Sequence, residues 1–459
     1  SCVCVQDRWI ALGMASGEIV VTKHHGLEIC RWRPHRDAIL SLSTDCVGGF
    51  LASCSLDGEV SIKRVSSDEP AESYAHLDGA HRIQLDPNYT DRYKLEKRFL
   101  TAHKDGSLNL QSKTWSKANV EVVASGEGTI FALDWVGCVV AWAAMHWVKF
   151  YDIQRKRPIA IVDTHLQEPV LPLNITPAAL AWESESSVWI AWGSEVRLLQ
   201  IKAETGDDGK PYLSPEITVQ WGMEDATSVR RAVPFDKDSV VTLCLPVAPE
   251  GTPSHMPQLQ LRDRQTGEIV ASPIAVPIDS YQTCPFEHYT FLSMFDLPRN
   301  MERHVHWNRR TWLTQEGAFS GSPPTLWICN PHELVVTRAR DMDDYVASAI
   351  HRNAHLEAVE LAMHNRALLR RHRLPELVHK YIEDLLHHAH YDRAAAECQR
   401  LIDQDESQWE FWILRFMQYR RLGTLVRFIP TSSPRLRTDI YQLVLLELLA
   451  TDPEEGIKR

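Results

Sequence analysis

The chain has 459 residues, of which 44% are apolar, and a formal net charge of -11 at pH 7. This length exceeds one ordinary core, so two structural parts are expected, and the acidic balance argues against nucleic-acid binding through a broad basic face. The ten cysteines contain no Cys-x-x-Cys pair, and only Cys2 and Cys4 lie close in sequence, so neither a zinc cage nor a disulfide framework is indicated and a reducing cytosol is the simpler compartment.

A hairpin pattern repeats through the first three quarters of the chain. In GFLASCSLDGEVSIK, residues 49–63, apolar and polar residues alternate around the pair Asp57-Gly58. This alternation predicts two antiparallel strands joined by a tight turn, because glycine tolerates positive φ. Strong or degenerate copies of the pattern occur at residues 9–21, 49–63, 99–110, 139–153, 188–201, 240–270 and 326–337.

The spacing of these seven copies predicts the fold of residues 1–340. Most copies recur every roughly 40 to 50 residues, the length of a four-stranded propeller blade. We therefore expect a seven-bladed WD-type β-propeller, with an insertion over 281–324 that forms a loop on the seventh blade. Tyr151-Asp152 lies where the third strand of such a repeat ends. His35, Asp57 and a strand serine are expected to form a hydrogen-bonded cluster that braces a blade, which is a structural and not a catalytic role.

The periodicity becomes helical near residue 340, and residues 341–459 are predicted to begin an α-solenoid of helix pairs. Asp341 is a good N-cap, and Asp343 and Asp344 favour the positive end of the helix dipole. Further helices are predicted over about 375–389, 391–402, 407–422 and 434–450, with a break at Gly423 and Pro434 in a first turn. We expect the chain to be a fragment of a longer protein, in which a preceding segment supplies the strand that closes the propeller.

No motif in the chain predicts catalysis, a cofactor or a metal. The phosphate-binding loop, the Gly-x-Ser-x-Gly elbow and the His-Glu-x-x-His helix are all missing from the sequence. His379, His387 and His390 share one predicted helix side, but a polar helix end is a better explanation than a metal site. Tryptophans in or beside the strands are expected to pack in the core: Trp142, Trp147, Trp182, Trp189 and Trp192.

Residues 284–313 form the most distinctive predicted loop. Its aromatic residues are followed by basic residues, a composition that suits a partner's groove or a lipid interface, although simple packing over the propeller is also open. The candidate contact residues are Phe286, Tyr289, Phe291, Phe295, Trp307 and Trp312. The basic stretch 365–374 is interpreted as a solvated turn of the solenoid.

Three segments resemble a known family: residues 126–159, the junction 331–350 and residues 390–423. They are similar to the vacuolar protein sorting subunit forty-one family of the HOPS tethering complex. The resemblance implies a propeller, a clathrin-like solenoid and a terminal RING-like zinc domain, and a role in tethering late endosomes and lysosomes or vacuoles. It also implies partners, namely a Rab or Arf-like small GTPase, the other HOPS subunits and adaptor-coated carriers, but no motif assigns residues to these contacts.

Two classes of function follow from these observations. The first is a non-enzymatic scaffold for vesicle tethering, cytoplasmic and peripheral on the late endosome, lysosome or vacuole membrane. The second is a coat or intraflagellar-type trafficking scaffold with the same propeller-solenoid layout. No apolar run reaches the length needed to span a bilayer, so only peripheral membrane contact is expected. An enzyme built on the central channel is a distant third interpretation.

Overall fold

The computed structural model describes residues 2–6, 8–74, 79–163, 177–205, 211–223, 227–246, 256–282, 284, 288–294, 324–402 and 404–451. The chain divides into two compact units, Ser1–Ala339 and Arg340–Arg459. In the described residues, the first unit contains β-strands and short helical turns, and the second contains helices. This confirms the predicted seven-bladed β-propeller followed by a helical region.

The described residues of the first unit form seven antiparallel sheets, and each sheet is built from consecutive strands of the chain. Blade 1 contains β1 to β4 (Cys2–Val5, Ile10–Gly13, Ile19–Thr22, Glu28–Trp32), blade 2 contains β5 to β8 (Ile39–Thr44, Phe50–Ser55, Val60–Arg64, Glu72–Tyr74), and blade 3 contains β9 to β12 (Ala80–Leu85, Lys97–His103, Leu108–Lys113, Ala118–Ala124). Blade 4 contains β13 to β16 (Ala132–Val136, Val139–Ala143, Trp147–Asp152, Arg157–Asp163), and blade 5 contains β17 to β20 (Ala179–Trp182, Ser187–Trp192, Glu195–Thr205, Pro211–Gly222). Blade 6 contains β21 to β24 (Ser228–Pro234, Ser239–Leu245, Gln258–Asp263, Ile274–Ala275), and blade 7 contains β25 to β27 (Thr290–Met294, Thr325–Cys329, Leu334–Arg338). A short helix, α1 (Tyr89–Arg92), precedes β10.

The first strands of successive blades are neighbours, and β25 of blade 7 lies beside β1 of blade 1, so the blades form a ring. The faces of adjacent sheets pack together through apolar side chains, because alternate residues of a strand point to opposite faces. Val140, Phe150 and Trp189 are at most 1% exposed in these layers. Burial of both faces explains why the second strands, such as FLASCS and VVAWA, are apolar or small throughout.

The structure of blade 7 differs from the expectation that residues 281–324 form an insertion loop. Asp279–Gln282 is a 3-10 turn, and β25 lies inside the expected loop, where it pairs with β26 from Thr290↔Cys329 to Met294↔Thr325. The segment between these two strands therefore begins at residue 295. The sequence pattern misses β25 because its partner strand, β26, begins only at Thr325, too far along the chain for a hairpin pattern to contain both strands.

Blades 5 and 6 are joined by an ion pair between residues 81 positions apart. Arg264 donates from Nη1 to Glu183 Oε1 over 2.5 Å and from Nη2 to Glu183 Oε2 over 2.7 Å. The indole of Trp189 donates to the same carboxylate over 3.1 Å, and the Arg264 guanidinium carbon lies 5.3 Å from the Trp189 ring centroid. Because the Glu183 side chain is only 2% exposed, this is a desolvated, bidentate pair whose members depend on each other.

The second unit contains α2 to α8: Met342–His351, His355–His364, Leu374–His387, Tyr391–Leu401, Glu406–Gln418, Leu422–Val426 and Thr438–Thr451. The structure confirms Asp341 as the N-cap of α2: its side chain accepts from Asp344 N, and the Asp344 side chain accepts from Asp341 N. Two details differ from the prediction. Gly423 lies within α7 instead of breaking a helix, and Pro434 precedes α8, which begins at Thr438.

The turns after α2, α4 and α6 share one backbone conformation. In each, a residue other than glycine has a left-handed φ: Asn353 at 57°, Ala389 at 59° and Arg420 at 55°. The following amide then donates to the carbonyl five residues earlier, in the pairs Ala354–Ala349, His390–Leu385 and Arg421–Phe416. This is the Schellman arrangement, which satisfies carbonyls that a helix end leaves free. The repeated turn marks α2/α3, α4/α5 and α6/α7 as successive helix pairs.

Asp343 fixes the basic turn between α3 and α4. Its carboxylate accepts from the backbone amides of Arg370 over 2.8 Å, Arg371 over 3.2 Å and His372 over 2.8 Å, and lies 3.0 Å from His372 Nδ1. Arg371 also pairs with the carboxylates of Asp341 and Asp344. The start of α2 thus supplies acceptors for a turn that follows it by nearly 30 residues. None of the described helices has the length and apolar character needed to cross a membrane.

Candidate partner-binding surfaces

Ser53, His35 and Asp57 form a chain of hydrogen bonds in blade 2. His35 Nδ1 lies 3.2 Å from both carboxylate oxygens of Asp57, and His35 Nε2 lies 2.8 Å from Ser53 Oγ. Since a carboxylate only accepts, Nδ1 carries the proton and Nε2 accepts from the serine hydroxyl. Asp57 also accepts from the backbone amides of Arg36 and Glu59. The cluster therefore links the entry to β5 with the β6–β7 turn, as predicted.

The same three residue types can form a nucleophile, a base and an orienting acid, but burial decides between the two roles. His35 is 2% exposed and Ser53 is 1% exposed, so no substrate carbonyl can approach the serine oxygen. The cluster acts as a brace that holds a blade and its turns in place.

We expect the propeller to lose stability as the pH falls from about 7 to about 5. Burial lowers the pKa of His35 below its ordinary value of 6.5, so protonation favours the unfolded chain. The part of the folding stability that depends on neutral His35 is complete above the unfolded-state pKa and declines as the pH falls below it. Urea unfolding followed by tryptophan fluorescence should show a smaller decline for His35→Gln than for the wild type.

Burial also lowers the pKa of His81, so His81→Gln should reduce the decline in the same direction. The exposed His25 offers a matched control, and His25→Gln should leave the pH dependence of the urea midpoint unchanged. An identical decline in His35→Gln and the wild type would contradict the proposed role of the buried imidazole.

The predicted contact loop is only partly described by the structure. Tyr289 is 1% exposed and Phe291 is fully buried, and both belong to the apolar layer between blades 6 and 7. This corrects their assignment as contact residues, because a side chain enclosed in the core cannot touch lipid or a partner. Phe286, Phe295, Trp307 and Trp312 lie outside the described residues, so their role stays a prediction.

The other sequence candidates take structural positions. Four of the five tryptophans are buried, as expected: Trp142, Trp182, Trp189 and Trp192. The partly buried Trp147 donates its indole N–H to Glu127 over 2.8 Å. In the helical unit, the His379 ring lies 4.9 Å from the Phe411 ring and 5.0 Å from that of Trp412, whereas His387 contacts Tyr419. The histidines therefore serve separate packing contacts.

One exposed aromatic residue escapes the sequence interpretation. Trp115, in the hairpin between β11 and β12, is 97% exposed, and Val120 and Val122 of β12 are 56% and 61% exposed. The sequence does indicate that this tryptophan is exposed, because Trp115 lies in the polar stretch Ser-Lys-Thr-Trp-Ser-Lys instead of in an apolar strand.

Comparison with known proteins points to a single family. The family model described as "Vps42 beta-propeller" (Beta-prop_Vps41) matches residues 1–296, and the model described as "Vps41 TPR-like region" matches residues 376–459. Three similar curated relatives are each named "Vacuolar protein sorting-associated protein 41 homolog". Those of Arabidopsis thaliana, Solanum lycopersicum and Mus musculus are 26%, 27% and 24% identical over 99% of this chain, which corresponds to 46%, 47% and 50% of their own lengths.

The chain thus spans about half the length of the curated relatives that it matches. The propeller model alone covers more than half of the chain, and the resemblance predicted from the sequence is confirmed. The chain belongs to the Vps41 family.

Proposed function

We propose that the chain belongs to a non-enzymatic subunit of a HOPS-type membrane-tethering complex. In this role it acts in sorting and membrane fusion at the late endosome, lysosome or vacuole, where it associates with the membrane peripherally from the cytoplasm. The observation that carries the proposal is the family match over 99% of the chain, to relatives named for vacuolar protein sorting. The combination of a propeller and a TPR-like helical region supports it, since both folds commonly present binding surfaces.

The contacts in the propeller support a binding role. In the brace formed by Ser53, His35 and Asp57, the serine and the histidine are buried, and the Glu183–Arg264 pair joins blades 5 and 6. Both hold the strands in fixed positions, so the connecting loops are presented on a rigid frame. Binding residues are often found on such loops.

The partners that we propose are a Rab or Arf-like small GTPase, the other HOPS subunits and adaptor-coated vesicles. We also propose that Phe286, Phe295, Trp307 and Trp312 contribute to contact with a partner or with lipid. Their aromatic character and the basic residues near Trp307 and Trp312 support this assignment.

A pull-down with purified components tests the proposal. The chain is immobilised and incubated with late-endosomal Rab and Arf-like GTPases, each loaded with a non-hydrolysable GTP analogue or with GDP, and separately with adaptor complexes. We expect one GTPase to be retained several-fold better in its GTP form than in its GDP form. Beads without the chain and an early-endosomal Rab serve as controls.

The alternative function is a coat or intraflagellar-type trafficking scaffold. Retention of adaptor complexes without nucleotide-dependent retention of any GTPase would favour that alternative. If neither class of protein were retained above the control beads, both proposed partner assignments would be wrong for this part of the protein.

A further inference from the structure

The outer rim of blade 3 exposes apolar side chains beside two cations. This rim patch consists of Trp115, Val120 and Val122 with Lys113 and Lys117, all of which are exposed. A tryptophan that is 97% exposed leaves almost its whole ring in water. Such rings are enriched where proteins bind one another, because their burial contributes much of the binding energy.

The strand register places Val120, Val122 and Lys113 on one side of the blade. Val120 and Val122 are two residues apart in a strand and so point to the same face. Lys113 pairs across the sheet with Ala118, which shares that face. Glu121 points to the opposite face, where it forms an ion pair with Lys156 of blade 4 over 2.7 Å. The apolar face of β12 therefore lacks a charge of its own.

The backbone edge of β12 is free among the described residues. β12 is the last strand of its sheet, and only β11 pairs with it. Alternate N–H and C=O groups of such a strand point outward and can pair with an added strand.

The other outer strands carry features that discourage strand addition. β8 and β24 have three and two residues, β4 carries Glu28 and Arg31, β16 contains Pro158 and β20 contains Pro215. Charge, proline and shortness are the usual means of blocking an edge. β27 has exposed apolar residues, but it has five residues and no exposed tryptophan beside it. β12 has seven residues, no proline and one charge, which is already paired, and its pairing with β11 is regular from Ala118 to Val122, with a bulge only at its end.

The charge of the rim patch indicates which kind of partner segment would bind there. Neither Lys113 nor Lys117 forms an ion pair with a carboxylate of the described residues, and the Lys113 ammonium lies 5.3 Å from the centroid of the Tyr74 ring. In a chain with a net charge of -11, two lysines that no described carboxylate neutralises, beside an exposed tryptophan, form a local positive site. An acidic segment complements it.

We propose that the outer edge of blade 3 is a docking site for an extended acidic peptide segment of a partner protein. The segment adds a fifth strand along β12 and places alternate apolar side chains on Val120 and Val122. Its acidic residues lie at the hairpin end, beside Lys113 and Lys117, and an apolar or aromatic residue covers Trp115. This is the β-strand addition mode of peptide recognition, and it is inferred independently of the proposed tethering function.

Selection from a phage-displayed library of random twelve-residue peptides tests the proposal. We expect enriched peptides that alternate β-branched or aromatic residues, contain aspartate or glutamate and lack proline. A synthetic copy of the most enriched peptide is then titrated by fluorescence anisotropy. Trp115→Ala and Val120→Lys should each weaken its binding by about tenfold or more, and charge reversal of Lys113 and Lys117 to glutamate should do the same.

The matched control is Ile161→Lys in β16, at a position that is 59% exposed on the neighbouring blade, and it should leave binding unchanged. Hydrogen exchange should slow at residues 118–124 when the peptide is bound, which locates the added strand. Failure to enrich any peptide, or equal binding to the wild type, Trp115→Ala and Val120→Lys, would overturn the proposal.

A binding assay with vesicles that contain phosphatidylserine distinguishes a peptide-docking site from a membrane-contact site. If Trp115→Ala abolished vesicle binding and left peptide binding intact, the rim patch would be a lipid contact and the proposal would be wrong. Circular dichroism of each variant establishes that it is folded before binding is compared.

Discussion

Glu183→Ala is expected to lower the free energy of unfolding of the propeller by about 3 to 5 kcal/mol, the usual cost of removing one member of a buried ion pair. The substitution leaves the guanidinium of Arg264, whose side chain is 15% exposed, without its bidentate acceptor. It also leaves the Trp189 indole N–H, which donates to the same carboxylate, without a partner. Urea unfolding followed by near-ultraviolet circular dichroism measures the change.

Two further variants sharpen this measurement. Glu183→Gln keeps the shape and one acceptor oxygen but not the charge, so its loss should be smaller than that of the alanine variant. Lys202 and Glu216 form an ion pair in which both side chains are 53% exposed, and Glu216→Ala should leave the unfolding midpoint unchanged. Equal midpoints for Glu183→Ala and Glu216→Ala would show that the pair between blades 5 and 6 does not hold them together.

Asp343→Ala is expected to destabilise the helical unit by about 3 kcal/mol, because three backbone amides lose their acceptor and burying an unsatisfied donor costs about 1 to 3 kcal/mol. The Asp343 side chain is only 1% exposed, so water cannot readily replace the carboxylate. The turn at residues 370–372 should open as a result. Hydrogen exchange, resolved by peptide, should show faster exchange at the amides of Arg370 and His372.

The same carboxylate gives this unit an acid-sensitive contact. Burial by itself would raise the pKa of Asp343, but hydrogen bonds from the backbone amides of Arg370 and His372 outweigh it and hold the pKa below its ordinary value of 3.8. The stability that the ionised Asp343 carboxylate contributes is therefore complete above the unfolded-state pKa, and it is lost as the pH falls through the folded-state value.

Unfolding midpoints between about pH 5 and pH 3 should thus fall more steeply for the wild type than for Asp343→Asn. Asp392 is a suitable control, since its side chain is 83% exposed, and Asp392→Asn should follow the wild type. If Asp343→Asn followed the wild type as well, the titrating group would lie elsewhere.

The blades could be predicted from the sequence because the two strands of each hairpin and the turn between them lie next to one another along the chain. The pattern around Asp57-Gly58 contains both strands and the turn between them, and the structure forms β6 and β7 there. The brace was predictable for a similar reason, since His35 precedes a strand and Asp57 lies in the turn of the next hairpin. Asp341 could be recognised as a cap from its position before a helical pattern.

The contacts between blades could not be predicted in this way. Glu183 and Arg264 are 81 residues apart, and neither local sequence marks the other as its partner. The sequence pattern predicts that Tyr289 and Phe291 are loop aromatics because their strand, β25, lies between segments without periodicity. Only the pairing with β26 shows that they belong to the core.

The order of strands in the ring bears on how the protein folds. Every described sheet is made from one continuous stretch of chain, and none combines strands from the two ends of the propeller. Local contacts form faster than distant ones, so each sheet can assemble as it leaves the ribosome, in the order of synthesis. The contact between the first and seventh sheets, where the His24 ring lies 5.3 Å from that of Trp327, can form only after the seventh sheet has been synthesised.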